Sequence, residues 1–586
     1  MHYALHRLIS GTNPRTFCIL LLLILANIRG IAQKPNTDPT GDEKWARAYL
    51  MAGDFVTALK EYQLLIKKDS VNPEFNYNLA TCYLNTTINK AKALPYMEFA
   101  SRQPKMDPIV QYDLGRAYQI VYRFDEAIEA FAKYKTLING EDMNYISADM
   151  QIEMCRRAKE MMLHPVNVTF ENLGARVNSP SPDYSPYISA NESVLHFTSK
   201  RAGNVGNLVD YDGYYTADLF YVEFINNQWD KAKRLANTIN TPLIEEMAGL
   251  SEDASHIFAY VDNLTARYQI LEGTRSGKSF QYLQPMGEAI NPKNEGATAV
   301  TVFRDRKAVI FAAERQGGAG GSDLYISRKL PNGAWGSPVS LGPTINTDFD
   351  EDYPQLSADN KRLFFASVGH GSMGGYDIYY SDWDSVNQRW NVPVNLGYPV
   401  NTPDDNVQIS FTASGRYAYT SALRPEGYGN LDIYRIIFHD VEPVYTMVHG
   451  SILQNDSISL TEAWKNDIQV AIDTLKASID SVVIALKRLT EPEINAVRMQ
   501  ITAYESMLQN GPPIKITVQD TLSDRNTGTY IPNRRSGHYL MFLPPGNFRI
   551  SISCDGYQTR QYHYFLPETE ANPREVLLNF TLKKSE

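Results

Sequence analysis

Five tripeptides between residues 166 and 438 constrain this chain more than any other feature. Val177-Asn178-Ser179, Ile239-Asn240-Thr241, Ile290-Asn291-Pro292, Ile345-Asn346-Thr347 and Val400-Asn401-Thr402 recur at spacings of 62, 51, 55 and 55 residues. In the clearest copy, an acidic turn, Asp348-Phe349-Asp350-Glu351-Asp352, leads into a strand at 353–356. The turn Ser357-Ala358-Asp359-Asn360 and an apolar strand at 362–366 follow. A glycine-rich loop at 369–375 then leads to Asp377-Ile378-Tyr379-Tyr380, and Trp390 and Asn395-Leu396-Gly397 close the unit. A period of ~40–50 residues carrying four short strands is the signature of a propeller blade. A ring of such blades is a rigid platform, which points towards binding and away from chemistry.

The last copy ends at 431–438 without a closing Asn-Leu-Gly strand. That strand stands at the front of the region instead, as Val168-Thr169-Phe170-Glu171-Asn172-Leu173-Gly174. The expectation is a five-bladed propeller over 166–440, closed by an N-terminal strand that removes the exposed edge. A sixth blade would require strands from the segment after His439. These units resemble the WD-repeat-like, TolB-like propellers of exported bacterial proteins, through Tyr353-Pro354-Gln355-Leu356-Ser357-Ala358-Asp359, Gly374-Gly375-Tyr376-Asp377-Ile378-Tyr379 and Gly320-Gly321-Ser322-Asp323-Leu324-Tyr325. The second copy lacks the glycine-rich loop and is assigned on spacing and on Gly249-Leu250-Ser251-Glu252-Asp253.

The N-terminus reads as an export signal. Arg7 and Arg15 precede an apolar run from 17 to 26, and Gly30-Ile31-Ala32 supplies small residues before Gln33. Cleavage after residue 32 is expected, with no lipid attachment because Cys18 lies inside the apolar run. No segment is apolar for the ~20 residues that a membrane span needs. Removing 1–32 takes three arginines and no acid, leaving 53 basic against 66 acidic side chains and a net charge of −13. Such a surface disfavours nucleic acid and anionic lipid as partners. Cys82, Cys155 and Cys554 are scattered and form neither a disulfide framework nor a zinc motif, so buried free thiols are expected.

Residues 41–163 read as helical hairpins. Tyr49, Tyr83 and Tyr118 stand 34 and 35 residues apart, and Ala58, Ala93 and Ala127 stand 35 and 34 apart. Small residues let two helices approach, and aromatics fill the gap to the next pair. The pattern resembles the tetratricopeptide repeat, which implies stacked hairpins with a concave face for peptides or partner proteins. Pro95 is expected to interrupt the second helix of the middle hairpin. A last helix, carrying Met154, Ala158, Met161 and Met162 at helical spacing, caps the stack. His164-Pro165 marks its end. Each domain is expected to own its core.

Residues 444–586 carry strand patterns around 448–453, 514–519, a Pro544-Pro545-Gly546 turn, an Asp555-Gly556-Tyr557 turn and 576–582. They resemble the carboxypeptidase regulatory-like β-sandwich, a non-catalytic module. An insertion at 465–509 steps through Ile468, Ile472, Leu475, Ile479, Val482, Leu486 and Leu489, then Ile494, Val497, Ile501, Tyr504 and Leu508. Two heptad seams separated by Glu491-Pro492 predict an antiparallel helical hairpin.

No catalytic, cofactor-binding or metal-ligating residue is assigned. Asp218, Asp323, Asp377 and Asp432 each precede an apolar-aromatic pair and are expected to cap turns, not to line an ion site. Asp348, Asp350, Glu351 and Asp352 lack the glycine and distal glutamate of a calcium loop. His196, His256 and His370 share no metal spacing. Nucleophile-elbow, phosphate-loop and HExxH patterns are absent.

The order of signal, tetratricopeptide-like repeats, propeller and regulatory-like sandwich is similar to Bacteroidetes cell-envelope proteins linked to type IX secretion and gliding. In those a peptidoglycan-binding OmpA-like domain commonly follows, whereas this sequence stops at Glu586. The resemblance implies a non-enzymatic periplasmic scaffold at the outer membrane. It would bind envelope proteins through the helical groove and the 465–509 hairpin, without direct peptidoglycan anchoring. The competing expectation is a propeller receptor for a glycan or peptide in nutrient uptake, which needs an aromatic-lined pocket on one propeller face, with Tyr187, Tyr353 and Trp383 as candidates.

Overall fold

The computed structural model describes residues 39–138, 142–210, 212–262, 269–277, 279–293 and 295–585; the expected export signal at 1–32 lies outside the described residues. The fold combines a helical layer, five antiparallel sheets arranged as propeller blades, and a two-sheet sandwich carrying a helical insertion.

The helical layer runs α1 (Glu43–Met51), α2 (Phe55–Lys68), α3 (Pro73–Leu84), α4 (Ala93–Ser101), α5 (Ile109–Ile120), α6 (Phe124–Leu137) and α7 (Ala148–Leu163). Short polar side chains begin several of them: Asp42, Asp54, Asn72 and Ser147 each accept a backbone N–H of the first turn. The spaced alanines sit where helices touch, and Ala58, Ala93 and Ala127 are fully buried. Gly115 lies against Phe131, where a Cβ would stand 2.6 Å from the ring, so α5 and α6 meet at a distance only glycine allows. Pro95 does not interrupt its helix. It falls in the first turn of α4, where the missing N–H would have had no partner. The irregularity lies just before, in the stretch between α3 and α4 with a single 3₁₀ turn, Lys90–Lys92.

The five sheets each place three strands in antiparallel order and complete the outer edge with short pieces. The second copy is a full sheet despite its missing glycine loop, built on Ile244–Leu250, His256–Asp262 and Gln269–Ser276. The fifth is closed by Val168–Asn172, which pairs with the last strand from Val168↔Phe438 to Asn172↔Tyr434. The segment after His439 enters the sandwich and adds no sixth sheet: Thr446–Gln454 pairs there with His538–Leu543.

Each tripeptide asparagine, just past the last strand of one sheet, clips onto the third strand of that same sheet. Asn240 accepts from Leu219 N–H at 2.8 Å and donates to Leu219 C=O at 3.0 Å. Asn291 does this to Ile270, Asn346 to Leu324, Asn401 to Ile378 and Asn178 to Ile433. The carbonyl also accepts a backbone N–H from just past the fourth strand, as Leu235 N–H to Leu219 C=O at 2.9 Å and Leu396 N–H to Ile378 C=O at 3.0 Å, whereas the N–H of the same residue is satisfied by the asparagine side chain.

The sandwich packs Asn526–Tyr530, Lys515–Asp520, Gly546–Ser553 and Arg560–Leu566 against a second sheet centred on Thr446–Gln454. Its core holds Val448, Ile516, Met541, Phe548, Ile550 and Phe580. The insertion is not two helices but three: α8 (Leu460–Ser478), α9 (Ser481–Lys487) and α10 (Glu491–Asn510). The heptad pattern runs through Ile479, but Ser478, Asp480 and Ser481 favour capping over continuation, and the chain turns there. Ile472, Ile494 and Ile501 are buried where α8 and α10 face each other. Ile468 and Leu508 reach the sandwich core, whereas the side chains of Val482 and Leu486 lie outside the described residues.

Candidate partner-binding surfaces

Strand alternation gives the ring two faces. Tripeptides and glycine-rich loops lie at one end of the strands; the short turns 189–193, 303–307, 357–361 and 412–416 lie at the other.

The helical layer covers the loop face. Met373, in the glycine-rich loop of the fourth sheet, is fully buried in the helical core beside Tyr112, Phe124, Phe131, Ile152 and Cys155. Ionic and polar contacts surround it. Lys90 pairs with Asp404 at 2.5 Å, Arg157 donates to Ser372 C=O at 3.2 Å, Thr87 meets Asn430, and Tyr145 donates to Asp350. The rings of Tyr122 and Tyr398 meet edge to face at 6.3 Å. The helical layer therefore does not own its core alone: the propeller supplies part of it.

The sandwich docks on the opposite face. Glu192, in the short turn of the first sheet, is 1% exposed and accepts from Arg435 Nε at 2.6 Å and Tyr419 Oη at 2.7 Å. Its other oxygen accepts from Thr569 Oγ1 at 2.6 Å and the Glu570 N–H at 2.5 Å, both in the sandwich. Glu568 continues the join to Arg416 and Tyr417, at 2.9 and 3.2 Å. Charged groups taken from water are tolerated here because they are paired and fully hydrogen-bonded.

The repeated aspartates cap loops. Asp218 accepts from Val205 N–H, Asp323 from Ala319, Asp377 from Met373 and Asp432 from Tyr428, at 2.7–2.9 Å. Burial raises Asp218 to about 6 and Asp377 to about 7, with hydrogen bonds opposing the shift. The acidic turn disperses its carboxylates. Asp350 accepts from Ser322 N–H at 2.9 Å, and Asp352 accepts from Thr298 Oγ1 at 2.8 Å. Glu351 accepts from Thr347 N–H and Oγ1, both at 2.7 Å.

This last pairing is a repeat that the sequence reading missed. Ser179 with Asp183, Thr241 with Glu245 and Thr402 with Asn406 form the same cap, each four residues apart. An acidic or amide residue four places after the tripeptide's Ser or Thr was the available signal. The third copy lacks it, having Pro292 and Gly296.

Among the described residues, no group of three His, Cys, Asp or Glu is disposed to hold a metal. His196 is buried against Tyr221 and Phe280, and burial pushes it down to about 3. His256 bonds Glu272 at 2.7 Å, and His370 bonds Ile345 C=O at 2.7 Å. Cys82, Cys155 and Cys554 are buried free thiols; burial lifts Cys155 to about 12 and Cys554 to about 11.

The three candidate aromatics Tyr187, Tyr353 and Trp383 do not meet. Tyr187 and Tyr353 lie on innermost strands, while Trp383 packs at the outer edge of the fourth sheet against Trp390 at 5.1 Å. Two concavities are open instead. One of about 420 Å³ lies among Ile109, Tyr134, Leu137, Ile138 and Met143 of the helical layer. The other, of about 320 Å³, lies on the third sheet beside Arg315 and Tyr325. On the insertion, Val470 and Met499 point outward, 64% and 75% exposed. Among the described residues, no helix is long and apolar enough to cross a membrane.

No protein-family model and no curated protein matches the chain. Among solved structures it is similar to TolB from Acinetobacter baumannii, at 14% identity over 52% of this chain and 73% of that one, with a TM-score of 0.30. It is similar to the WD40 repeats of RRP9 at 6% identity over 46% and 96%, TM-score 0.26. A glycosyl hydrolase from Bacteroides ovatus matches at 10% identity over 44% and 85%, TM-score 0.29.

Proposed function

We propose that this chain is a non-enzymatic scaffold of a periplasmic cell-envelope assembly, associated with type IX secretion or gliding machinery at the outer membrane. The observation that carries the reading is the double docking of the ring. Met373 ties the helical layer to one face and Glu192 ties the sandwich to the other. A propeller clamped in this way holds two modules at a fixed separation, which is the work of a spacer. Its repeated aspartates each accept a loop amide, which supports a structural role for them. The order of tetratricopeptide-like hairpins, propeller and regulatory-like sandwich supports the envelope setting.

The partner surfaces in this reading are helical. The loop-facing side of the layer is occupied within the chain, so partners engage its outward side and the α8–α10 insertion, where apolar side chains stand in solvent. Affinity isolation of the tagged protein from native membranes, with cross-linking mass spectrometry, tests this. The expected result is a stable multi-protein complex with cross-links on 41–163 and 460–510. Isolation of the protein without envelope partners, or cross-links confined to the sandwich sheets, overturns it.

A further inference from the structure

The short turns at the sandwich end of the ring share one build. Asn191, Asp253, Asp305, Asp359 and Ser414 each accept the N–H two residues on, at 3.0–3.3 Å. The residue in between is left-handed in all five turns: Glu192, Ala254, Arg306, Asn360 and Gly415 have φ between +53° and +74°. Glycine and asparagine suit that conformation, and long side chains do not. Two of the tips are charged all the same. Glu192 is the one that holds the sandwich, through Thr569 and Glu570. Arg306 is its counterpart in the third sheet, and it is exposed.

Arg306 stands among like charges. Arg304, Lys307, Arg328 and Lys329 are exposed at the same end of the third sheet. Lys307 and Lys329 lie on neighbouring strands, with Lys329 N–H donating to Lys307 C=O at 2.8 Å. Asp305 is the acid of this turn, and its Oδ1 is taken up as the turn cap. Asp253 of the next turn lies within electrostatic reach of Arg306 but is bound by the hydroxyls of Ser251 and Ser255. Among the described residues, only Arg304 of the five cations forms an ion pair, with Glu252 at 3.3 Å, and its side chain is still 70% exposed. Like charges on adjoining strands oppose folding. This cluster also stands on a chain whose mature net charge is −13.

The guanidinium is held ready. His256 Nδ1 meets Glu272 Oε1 at 2.7 Å, and a carboxylate only accepts, so Nδ1 carries the proton. His256 Nε2 is left to accept from Arg306 Nη1, at 2.6 Å. That bond fixes one corner of the fork. Nε and Nη2 make no hydrogen bond among the described residues, and they form the edge that takes a carboxylate through two parallel bonds. Lys329, 5.0 Å from the Trp335 ring, and Leu330, 46% exposed, give the cluster an apolar flank.

We propose that the third-sheet tip docks an acidic segment of a partner protein, with one carboxylate on the Arg306 fork and others on Lys307, Arg328 and Lys329. Charge complementarity sets the occupant. A long polyanion or an anionic membrane would also lie against the acidic remainder of the surface. A short segment meets only the cluster, because charges beyond about 8 Å are screened at physiological salt. The assignment concerns the ring, which the scaffold reading treats as a spacer, and it stands or falls apart from the helical surfaces.

Calorimetric titration of the mature chain tests it. The probe is a blocked peptide of alternating glutamate and alanine, set against the same peptide with glutamine for glutamate, an oligodeoxythymidine and vesicles of phosphatidylglycerol. The acidic peptide is expected to bind and the glutamine peptide is not. Arg306→Glu should weaken binding by about tenfold or more, and Arg306→Lys, which keeps the charge without the fork, by a smaller factor. If Arg306→Glu disturbs the turn, Lys307→Glu with Lys329→Glu makes the same change of sign without touching the left-handed residue. Lys67→Glu with Lys133→Glu, on the helical layer, changes the net charge equally and should leave binding as it was. Three outcomes overturn the proposal: no binding of the acidic peptide, an equal loss in the tip and helical-layer variants, or tighter binding of the vesicles or the oligonucleotide, which would make the occupant a lipid surface or a nucleic acid.

Discussion

The backbone N–H of Met373 donates to Asp377 Oδ2 at 2.9 Å, and this bond aims a methionine of the propeller into the core of the helical layer. The close glycines around it permit the approach: a Cβ on Gly375 would stand 1.9 Å from Asp405 Oδ1, and one on Gly374 2.3 Å from Pro403 C=O. A loop that looks flexible in sequence is thus a rigid peg.

Truncating the peg should loosen one join and spare the other. Met373→Ala removes a fully buried side chain and should cost about 2–5 kcal/mol. Hydrogen exchange is expected to quicken in α5 and α7 and to stay unchanged in the sandwich. Equal quickening in both would show that the loop has no special hold on the helices.

The second join is electrostatic and should respond differently. Glu192→Ala leaves Arg435, 8% exposed at its side chain, with only the half-exposed Glu171 as a carboxylate partner. Removing one member of a buried pair costs roughly 3–5 kcal/mol. Replacing both Glu192 and Arg435 by leucine should recover part of the loss, as read by thermal unfolding. No recovery in the double variant counts against mutual compensation at this site.

Closure of the ring should depend on its first strand. A chain beginning at Ser179 lacks Val168–Asn172 and Asn178, and so exposes the edge from Ile433 to Phe438. Such edges template aggregation. Light scattering should report aggregates that a chain beginning at Val166 does not form.

Glu351 makes stability pH-dependent in a defined direction. Burial raises its folded pKa from 4.5 to about 7, against the opposing hydrogen bonds from Thr347 and Ser367. The folded state therefore holds the proton more tightly than the unfolded one. Its contribution is fully present below pH 4.5 and declines as pH rises through about 7, by about 1.4 kcal/mol per pKa unit. Glu351→Gln should flatten the unfolding free energy between those pH values. A parallel slope in parent and variant would assign the effect to other carboxylates, such as Asp352.

Much of the ring was readable because its signals are local and repeated. The displaced Asn172-Leu173-Gly174 announces the closing strand, and Asp218, Asp323, Asp377 and Asp432 announce loop caps. The joins were not readable. Nothing near Asn191-Glu192-Ser193 distinguishes that turn from any polar turn, because its partners Arg435 and Thr569 lie 243 and 377 residues away. Met373 sits among glycines and has no pattern of its own. Pro95 and the Ile479 break show the opposite error. A local rule was applied without the position that decides it, the first turn in one case and a capping cluster in the other.

The asparagine staples put the sequence unit and the sheet out of phase. Asn401 is written at the head of the fifth sheet but holds the fourth together, and Asn178 is written at the head of the first but holds the fifth. Every sheet is thus completed by an asparagine in the linker that follows its own last strand. A new blade could enter this lineage only as a segment running from one asparagine to the next; a duplication cut at sheet boundaries would carry a strand away from the side chain that satisfies it.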